Sequence, residues 1–241
     1  AEMLLRFALN VDRAGLYTRW DGAMPDAAWD RYRGLLEERA AGRPVHYIVG
    51  EREFMGLAFT VDERVMIPRP ETELLVAVAI SRLRDQARPT VVDVGTGSGC
   101  IAISLACFMP SAAVYATELS RGALEVAEAN ARRHGVAGRV RFLRGDVLAG
   151  LPAALAGRVD AILSNPPYVP AFQAQQLAPE IMSRAGQSSP RVTGWRSTGG
   201  WPPRRRHGCA QAVCWRWRWR PGRMMSCARC WRDPEDMARS A

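Results

Sequence analysis

Over the first fifty positions apolar residues recur at helical spacing. Met3, Leu4, Phe7 and Ala8 share one face, and Trp29, Tyr32, Leu35 and Leu36 share another further on. Pro25-Asp26 separates the two patterns, with Asp26 placed to cap the second helix, and Gly42-Arg43-Pro44 ends it. Residues 1–50 therefore read as a small helical module whose apolar face packs on the next domain or docks a partner. The period then shortens. Phe54, Leu57, Phe59 and Val61 alternate around Gly56 as in a hairpin, and Ile67-Pro68-Arg69-Pro70-Glu71-Thr72 forms a stiff connector, so that 51–72 joins two larger units. Glu71 opens a helix to about Leu83, where an acid favours the helix dipole. Arg69 is either a solvated linker residue or, with Glu71, part of the rim of a site.

From Pro89 the pattern becomes strand, turn, helix, repeated. Thr90–Val94, Val114–Glu118, Arg139–Leu143 and Val159–Leu163 read as strands. An apolar helix from Cys100 to Phe108 and a helix capped by Ser120 and closed by Gly135 alternate with them. That order predicts an α/β domain over 73–184 with a parallel sheet. The strands end in the residues that carry the candidate chemistry, and open α/β sheets bind ligands at those ends. Gly95-Thr96-Gly97-Ser98-Gly99 follows the first strand and opens a helix, which lets a ligand approach the backbone. Glu118 lies 23 positions beyond Gly95, close to the offset of ~20 at which a carboxylate takes both ribose hydroxyls. Asp146, after the third strand, is placed to accept from an adenine amino group. The glycines are spaced GxGxG rather than GxGxxG, and no second mononucleotide half follows, which points to a single nucleoside rather than a dinucleotide. Each acid taken alone is equally a capped or solvated turn residue; the ordered set carries the reading.

The last of these strands ends in Asn165-Pro166-Pro167-Tyr168. Proline cannot donate to a sheet ladder and fixes its own φ, so the strand must stop there and Asn165 sits on a stiff turn. Its side chain offers one acceptor and two donors, suited to a planar amide or amino group whose face Tyr168 can cover.

Composition changes the picture in one respect. The 241-residue chain carries +9, and all 33 of its basic residues counted as Lys or Arg are Arg. Residues 184–241 hold 13 Arg against three acids, whereas residues 1–183 hold 20 Arg against 21 acids. The body is neutral and gives no argument for nucleic-acid binding. No apolar run approaches the ~20 residues of a membrane span, and no signal peptide is seen. The chain begins at Ala1, directly inside a helical pattern, so its natural start is expected to lie upstream.

Glycine loop, Glu118, Asp146 and the Asn-Pro-Pro-Tyr turn, in that order, resemble the class I methyltransferases that use S-adenosylmethionine. The Gly42–Gly50 run, Phe54-Met55-Gly56-Leu57, Ile67–Thr72, Asp93–Gly99 and Ser164–Tyr168 are more closely similar to the HemK/PrmC-type protein-glutamine N5-methyltransferases that modify peptide chain release factors. The resemblance covers about residues 1–184 and implies a Rossmann-like sheet behind an N-terminal substrate-docking module. It implies that Gly95, Thr96, Gly97, Ser98 and Gly99 line the methionine and ribose of the cofactor. Glu118 would bind the ribose hydroxyls, and Asp146 and Val147 would flank the adenine. Asn165 and the Pro166 carbonyl would hold the glutamine amide beside the cofactor, with Pro167 stiffening the turn and Tyr168 packing on the amide. The implied substrate is the glutamine of the release factors' Gly-Gly-Gln segment, in the cytoplasm, without a metal. Adenine amino groups on nucleic acid would suit the same turn and form the alternative.

After about Arg184 the character changes. Residues 185–241 hold four of the six cysteines and six of the eight tryptophans. One reading is a binding tail, with Cys209, Cys214, Cys227 and Cys230 as zinc ligands and interleaved Arg and Trp on nucleic acid. The other is a reading-frame slip near Ser183–Pro190. Trp, Arg, Cys and Met codons largely fix their first two bases, and a shifted reading returns a strand and a helix of ordinary composition. On that reading the tail is disordered, the sheet is incomplete at its distal end, the strand before Asn165 is an exposed edge, and the chain is poorly soluble or inactive. Trp215-Arg216-Trp217-Arg218-Trp219-Arg220 alone in this segment alternates like a strand.

Overall fold

The computed structural model describes residues 1–19 and 21–165, together with the backbone of two strands, Ala212–Arg218 and Ser226–Trp231. Four helices open the chain: α1 (Glu2–Leu9), α2 (Arg13–Tyr17), α3 (Asp26–Ala40) and α4 (Val45–Val49). Leu4 and Ala8 of α1, Leu35 of α3 and Ile48 of α4 close a small core. Two expectations need correction. Asp26 is the first residue of α3 rather than its cap, which is Pro25 and makes no side-chain bond; the acid acts on the helix dipole instead. Trp29 lies outside the core at 52% exposure, because α3 reaches the other helices through Leu35 and turns Trp29 outward. The short α2 had no periodic signal and is held by Asp12, whose carboxylate accepts from the Gly15 N–H at 2.7 Å.

β1 (Glu51–Phe54) and β2 (Leu57–Thr60) form the expected hairpin. Met55 and Gly56 both have positive φ, 54° and 72°, as a two-residue type I′ turn requires. The connector behind it is not a solvated linker. Val61, Val65 and Ile67 pack with Tyr47, Ala123 and Val126, and the Tyr47 hydroxyl donates to the Val65 carbonyl at 2.7 Å. This cluster joins the helical module to the larger domain.

That domain runs α5 (Glu71–Leu83), β3 (Thr90–Val94), α6 (Cys100–Phe108), β4 (Ala113–Glu118), α7 (Arg121–Arg133), β5 (Val140–Arg144), a single 3-10 turn (Ala153–Leu155) and β6 (Ala161–Ser164). The strands lie in the order β5-β4-β3-β6, all parallel. Side chains alternate across the sheet. Val91, Ala161 and Leu163 face the helical layer, while Val92, Val94 and Ile162 face Leu148, Leu151, Leu155 and Val159. β6 begins two residues later than its apolar run, because Asp160 is used differently: its carboxylate accepts from the Thr90 N–H at 2.8 Å.

The sheet does not stop at β6. β7 (Ala212–Arg218) pairs antiparallel with β6, from Ala161 opposite Trp215 to Ser164 opposite Ala212, and β8 (Ser226–Trp231) pairs with β7. The expected exposed edge at β6 is therefore absent. The expectation of disorder over 185–241 does not hold for these two stretches, one of which is the Trp-Arg alternation. An alternating segment can satisfy the open N–H and C=O groups of a sheet edge whatever its composition.

Candidate active site

Three parallel strands end level. Val94 on β3 lies opposite Thr117 on β4 and Ser164 on β6, and Glu118 lies opposite Arg144 on β5. Following the sheet order, the residues at or just beyond the strand ends fall in a row: Asp146, Glu118, the 95–99 loop, Asn165. At 4.7–4.9 Å between strands the row spans roughly 14 Å.

The loop consumes most of its own amides. Gly95 and Thr96 both donate to the Thr117 carbonyl, at 2.9 and 3.1 Å, and Gly99 donates to the Thr96 carbonyl at 2.9 Å. The Gly97 N–H donates to Glu118 Oε2 at 3.1 Å. A phosphate cradle needs free amides pointing at the ligand, so this loop does not suit a dinucleotide. Gly95 and Gly97 have positive φ, and a Cβ on either would meet nothing within 4 Å, so their outer faces are open to a ligand. Gly99 is different: a Cβ there would lie 2.7 Å from Ile103 Cδ1 and 3.2 Å from Ala127 Cβ, so its role is the close approach of the start of α6 to α7. Thr96 and Ser98 are buried beneath the loop.

Glu118 is half-buried, and its other oxygen accepts from the Leu119 and Ser120 N–H groups at 2.8 and 3.0 Å. These bonds fix the carboxylate at the loop's edge. Asp146 is exposed, and Val147 beside it has φ 51°. A β-branched residue in that region costs about 1–3 kcal/mol, so the turn is held by its surroundings. Gly145 supplies part of the hold, since a Cβ there would sit 2.6 Å from the Gly150 nitrogen. Asn165 is half-buried, and its Nδ2 donates to the Thr72 hydroxyl at 2.8 Å. This turns the amide nitrogen toward the connector and its carbonyl oxygen the other way. Pro166, Pro167 and Tyr168 lie outside the described residues.

Periodicity and motif spacing passed over three residues. Asp93 is wholly buried at the base of the loop, where Oδ2 accepts from the Thr96 hydroxyl at 2.5 Å and from the Ala102 N–H at 3.2 Å. Its Oδ1 has no partner among the described residues, and burial pushes its carboxyl up to about 7. A lone acid in an otherwise apolar strand was the available signal. Thr72 reaches Asn165, while its neighbour Glu71 is exposed. Asn130 on α7 is buried and binds Thr60 and the Ser98 carbonyl, tying the hairpin to the loop.

Residues 71–189 match the model of the methyltransferase small domain, and residues 1–50 match the PrmC N-terminal domain. The release factor glutamine methyltransferase of Chlorobaculum tepidum is 46% identical over 187 residues, covering 75% of this chain and 64% of that protein. The chain belongs to the HemK/PrmC-type methyltransferases. Its fold is accordingly the α/β, Rossmann-like class I methyltransferase sheet behind a helical N-terminal domain. Other members similar to it are the release factor glutamine methyltransferases of Moorella thermoacetica, 43% identical over 76% of this chain and 64% of that protein, and of Burkholderia pseudomallei, 46% identical over 70% and 60%. The chain thus spans slightly under two thirds of the length of these relatives. Among the described residues no helix is long and apolar enough to cross a membrane.

The residues present fit the cofactor of this family. An open glycine face, an acid at the next strand end, a strained turn beyond it and an orphaned buried carboxylate oxygen suit a neutral nucleoside carrying a cationic amino acid tail.

Proposed function

We propose that the chain transfers a methyl group from S-adenosylmethionine to the side-chain amide nitrogen of a glutamine in a peptide chain release factor. The carrying observation is the row at the strand ends, in which Asn165 stands directly beside the glycine loop and the two acids continue on its other side. The names of the relatives support the same substrate. A translation factor as substrate carries with it a cytoplasmic location.

In this reading the open faces of Gly95 and Gly97 carry the methionine and ribose, Glu118 takes the ribose hydroxyls, and Asp146 with Val147 flanks the adenine. Asp93 supports the loop from below. S-adenosylmethionine supplies an activated methyl on a sulfonium, so the chain need not activate the donor. Its task is the acceptor. An amide nitrogen is a poor nucleophile because its lone pair is delocalised. Asn165 Oδ1, with the Pro166 carbonyl, accepts both N–H bonds of the glutamine amide and localises that pair. Thr72 holds the Asn165 amide by its nitrogen, which fixes the orientation of the side chain at the strand end. Tyr168 covers the amide face. Positioning of this kind is worth up to ~7–11 kcal/mol in the best intramolecular cases. The two acceptors would also stabilise positive charge developing on the nitrogen as it takes the methyl, the C–S bond breaking to leave a neutral thioether and one amide proton passing to solvent.

The test is transfer of label from the methyl-labelled cofactor to a release factor and, in parallel, to DNA. Label is expected on the factor, with Asn165→Ala lowering turnover on the order of 100-fold or more. Undiminished turnover by the variant, or label in DNA instead, overturns the reading.

A further inference from the structure

A concave feature lies beside the connector, lined by none of the residues at the strand ends. It is a cleft of about 240 Å³ between the helical module, the hairpin and the connector. Arg39, His46, Arg52 and Arg69 line it over a floor of Ile67 and Pro68, and none of the lining residues is acidic. The basic groups are organised. His46 Nδ1 lies 3.0 Å from the Glu51 carbonyl and so carries the proton, which leaves Nε2 to accept from Arg52 Nη1 at 2.9 Å. Burial and the neighbouring Arg52 charge hold His46 below its ordinary pKa, which keeps it in this acceptor form. The imidazole thereby aims the Arg52 guanidinium, whose Nε is buried without a partner among the described residues. Arg69 enters from the connector. One turn later, closed by the Thr72 N–H on the Arg69 carbonyl at 3.0 Å, Thr72 holds Asn165.

We propose that this cleft is an anion subsite that takes a side-chain carboxylate of the polypeptide presenting the target glutamine. The inference rests on the reading above for the identity of that polypeptide. A guanidinium with an unpaired buried N–H needs an acceptor, and a carboxylate matches its planar fork. A protein acid is favoured over a nucleic-acid backbone because the body of the chain is neutral. One basic cleft in a neutral surface selects a single anion, whereas a polyanion needs a continuous basic stripe. The common connector makes the carboxylate and the glutamine a two-point grip that sets which glutamine enters.

The experiment measures binding of an intact release factor to the full chain, and KM and kcat for methyl transfer, in wild type and in Arg52→Gln, Arg69→Gln and the control Arg84→Gln. Arg69 is exposed, so its replacement leaves the fold intact even if the Arg52 variant does not fold. Each cleft variant is expected to weaken binding about tenfold and raise KM to match, with kcat within twofold and the control unchanged. Neutralising one acidic residue near the factor's glutamine reproduces the loss and makes it insensitive to Arg69→Gln. Unchanged KM in both cleft variants overturns the proposal while leaving the methylation reading intact. If wild type neither binds nor methylates the factor, the methylation reading fails, and thermal unfolding against sodium sulfate decides the subsite. Greater protection of wild type than of Arg69→Gln supports an anion site, and equal protection refutes it. Loss of single-stranded oligonucleotide binding in the cleft variants, with release-factor binding retained, also overturns it.

Discussion

Replacing Asn130 by Ala should uncouple the hairpin from the glycine loop. Asn130 has no exposed surface, and its side chain makes three bonds: Nδ2 to the Ser98 carbonyl at 2.9 Å, Nδ2 to the Thr60 carbonyl at 3.0 Å, and Oδ1 from the Thr60 N–H at 2.8 Å. The Ser98 carbonyl is buried and would be left unpaired at a cost of about 1–3 kcal/mol. The two Thr60 bonds are partly exposed, so water recovers some of each and the loss is about 0.5–1.5 kcal/mol apiece. The expected destabilisation is therefore about 2–6 kcal/mol, large against a whole-domain stability of ~5–15 kcal/mol. Urea unfolding at unchanged slope reads the total, and hydrogen exchange at the Thr60 amide reads the local part. Because Ser98 belongs to the 95–99 loop, cofactor affinity should fall together with stability. Asn130→Asp separates the contributions: it keeps the acceptor for Thr60 but sets a carboxylate against two carbonyls, and should be no better than Ala. A loss below about 1 kcal/mol, or full retention of Thr60 protection, would show that this side chain is not what ties the two elements together.

Gly145→Ala places a methyl 2.6 Å from the Gly150 nitrogen and 2.8 Å from its Cα, both backbone, and should cost about 1–3 kcal/mol in thermal unfolding with loss of the Val147 turn. Asp93 is raised from 3.8 to about 7 in the fold, so the folded state binds its proton more tightly than the unfolded chain. Its contribution to stability is fully present below about pH 4 and lost as pH rises through 7, by at most roughly 4 kcal/mol; Asp93→Asn should abolish that slope in urea titrations across the window. Glu118→Gln keeps one acceptor for three backbone N–H groups, and is expected to weaken cofactor binding about tenfold by calorimetry while the far-ultraviolet spectrum stays unchanged.

Much of the architecture was legible because it rests on local rules. Short runs of four to six residues, ended by glycine, by Asn-Pro or, for β4, by an acid, marked β3, β4, β5 and β6 to within two residues. Glu71, Ser120 and Gly135 marked helix ends through capping and dipole effects that act within one turn. Asn165 announced itself because two prolines leave the chain almost no freedom after β6. Where burial depends on a distant partner, the pattern misled: Trp29 sits at helical spacing with Tyr32 and Leu35 yet faces outward, since nothing in α3 itself states which side meets α1.

The amino-acid order by itself determined the alternation of strand and helix, the glycine bend, the acids at the strand ends and the proline-locked amide. Each depends on a residue and its neighbours along the chain. Only the folded arrangement decided that the loop spends its amides on Thr117 and Glu118, that Thr72 rather than Glu71 meets Asn165, that Asn130 bridges seventy positions to Thr60, and that a Trp-Arg strand lies against β6. Those contacts join groups far apart in the chain. Their partners are selected by which surfaces burial of the core brings together, and short-range propensity carries no record of that choice.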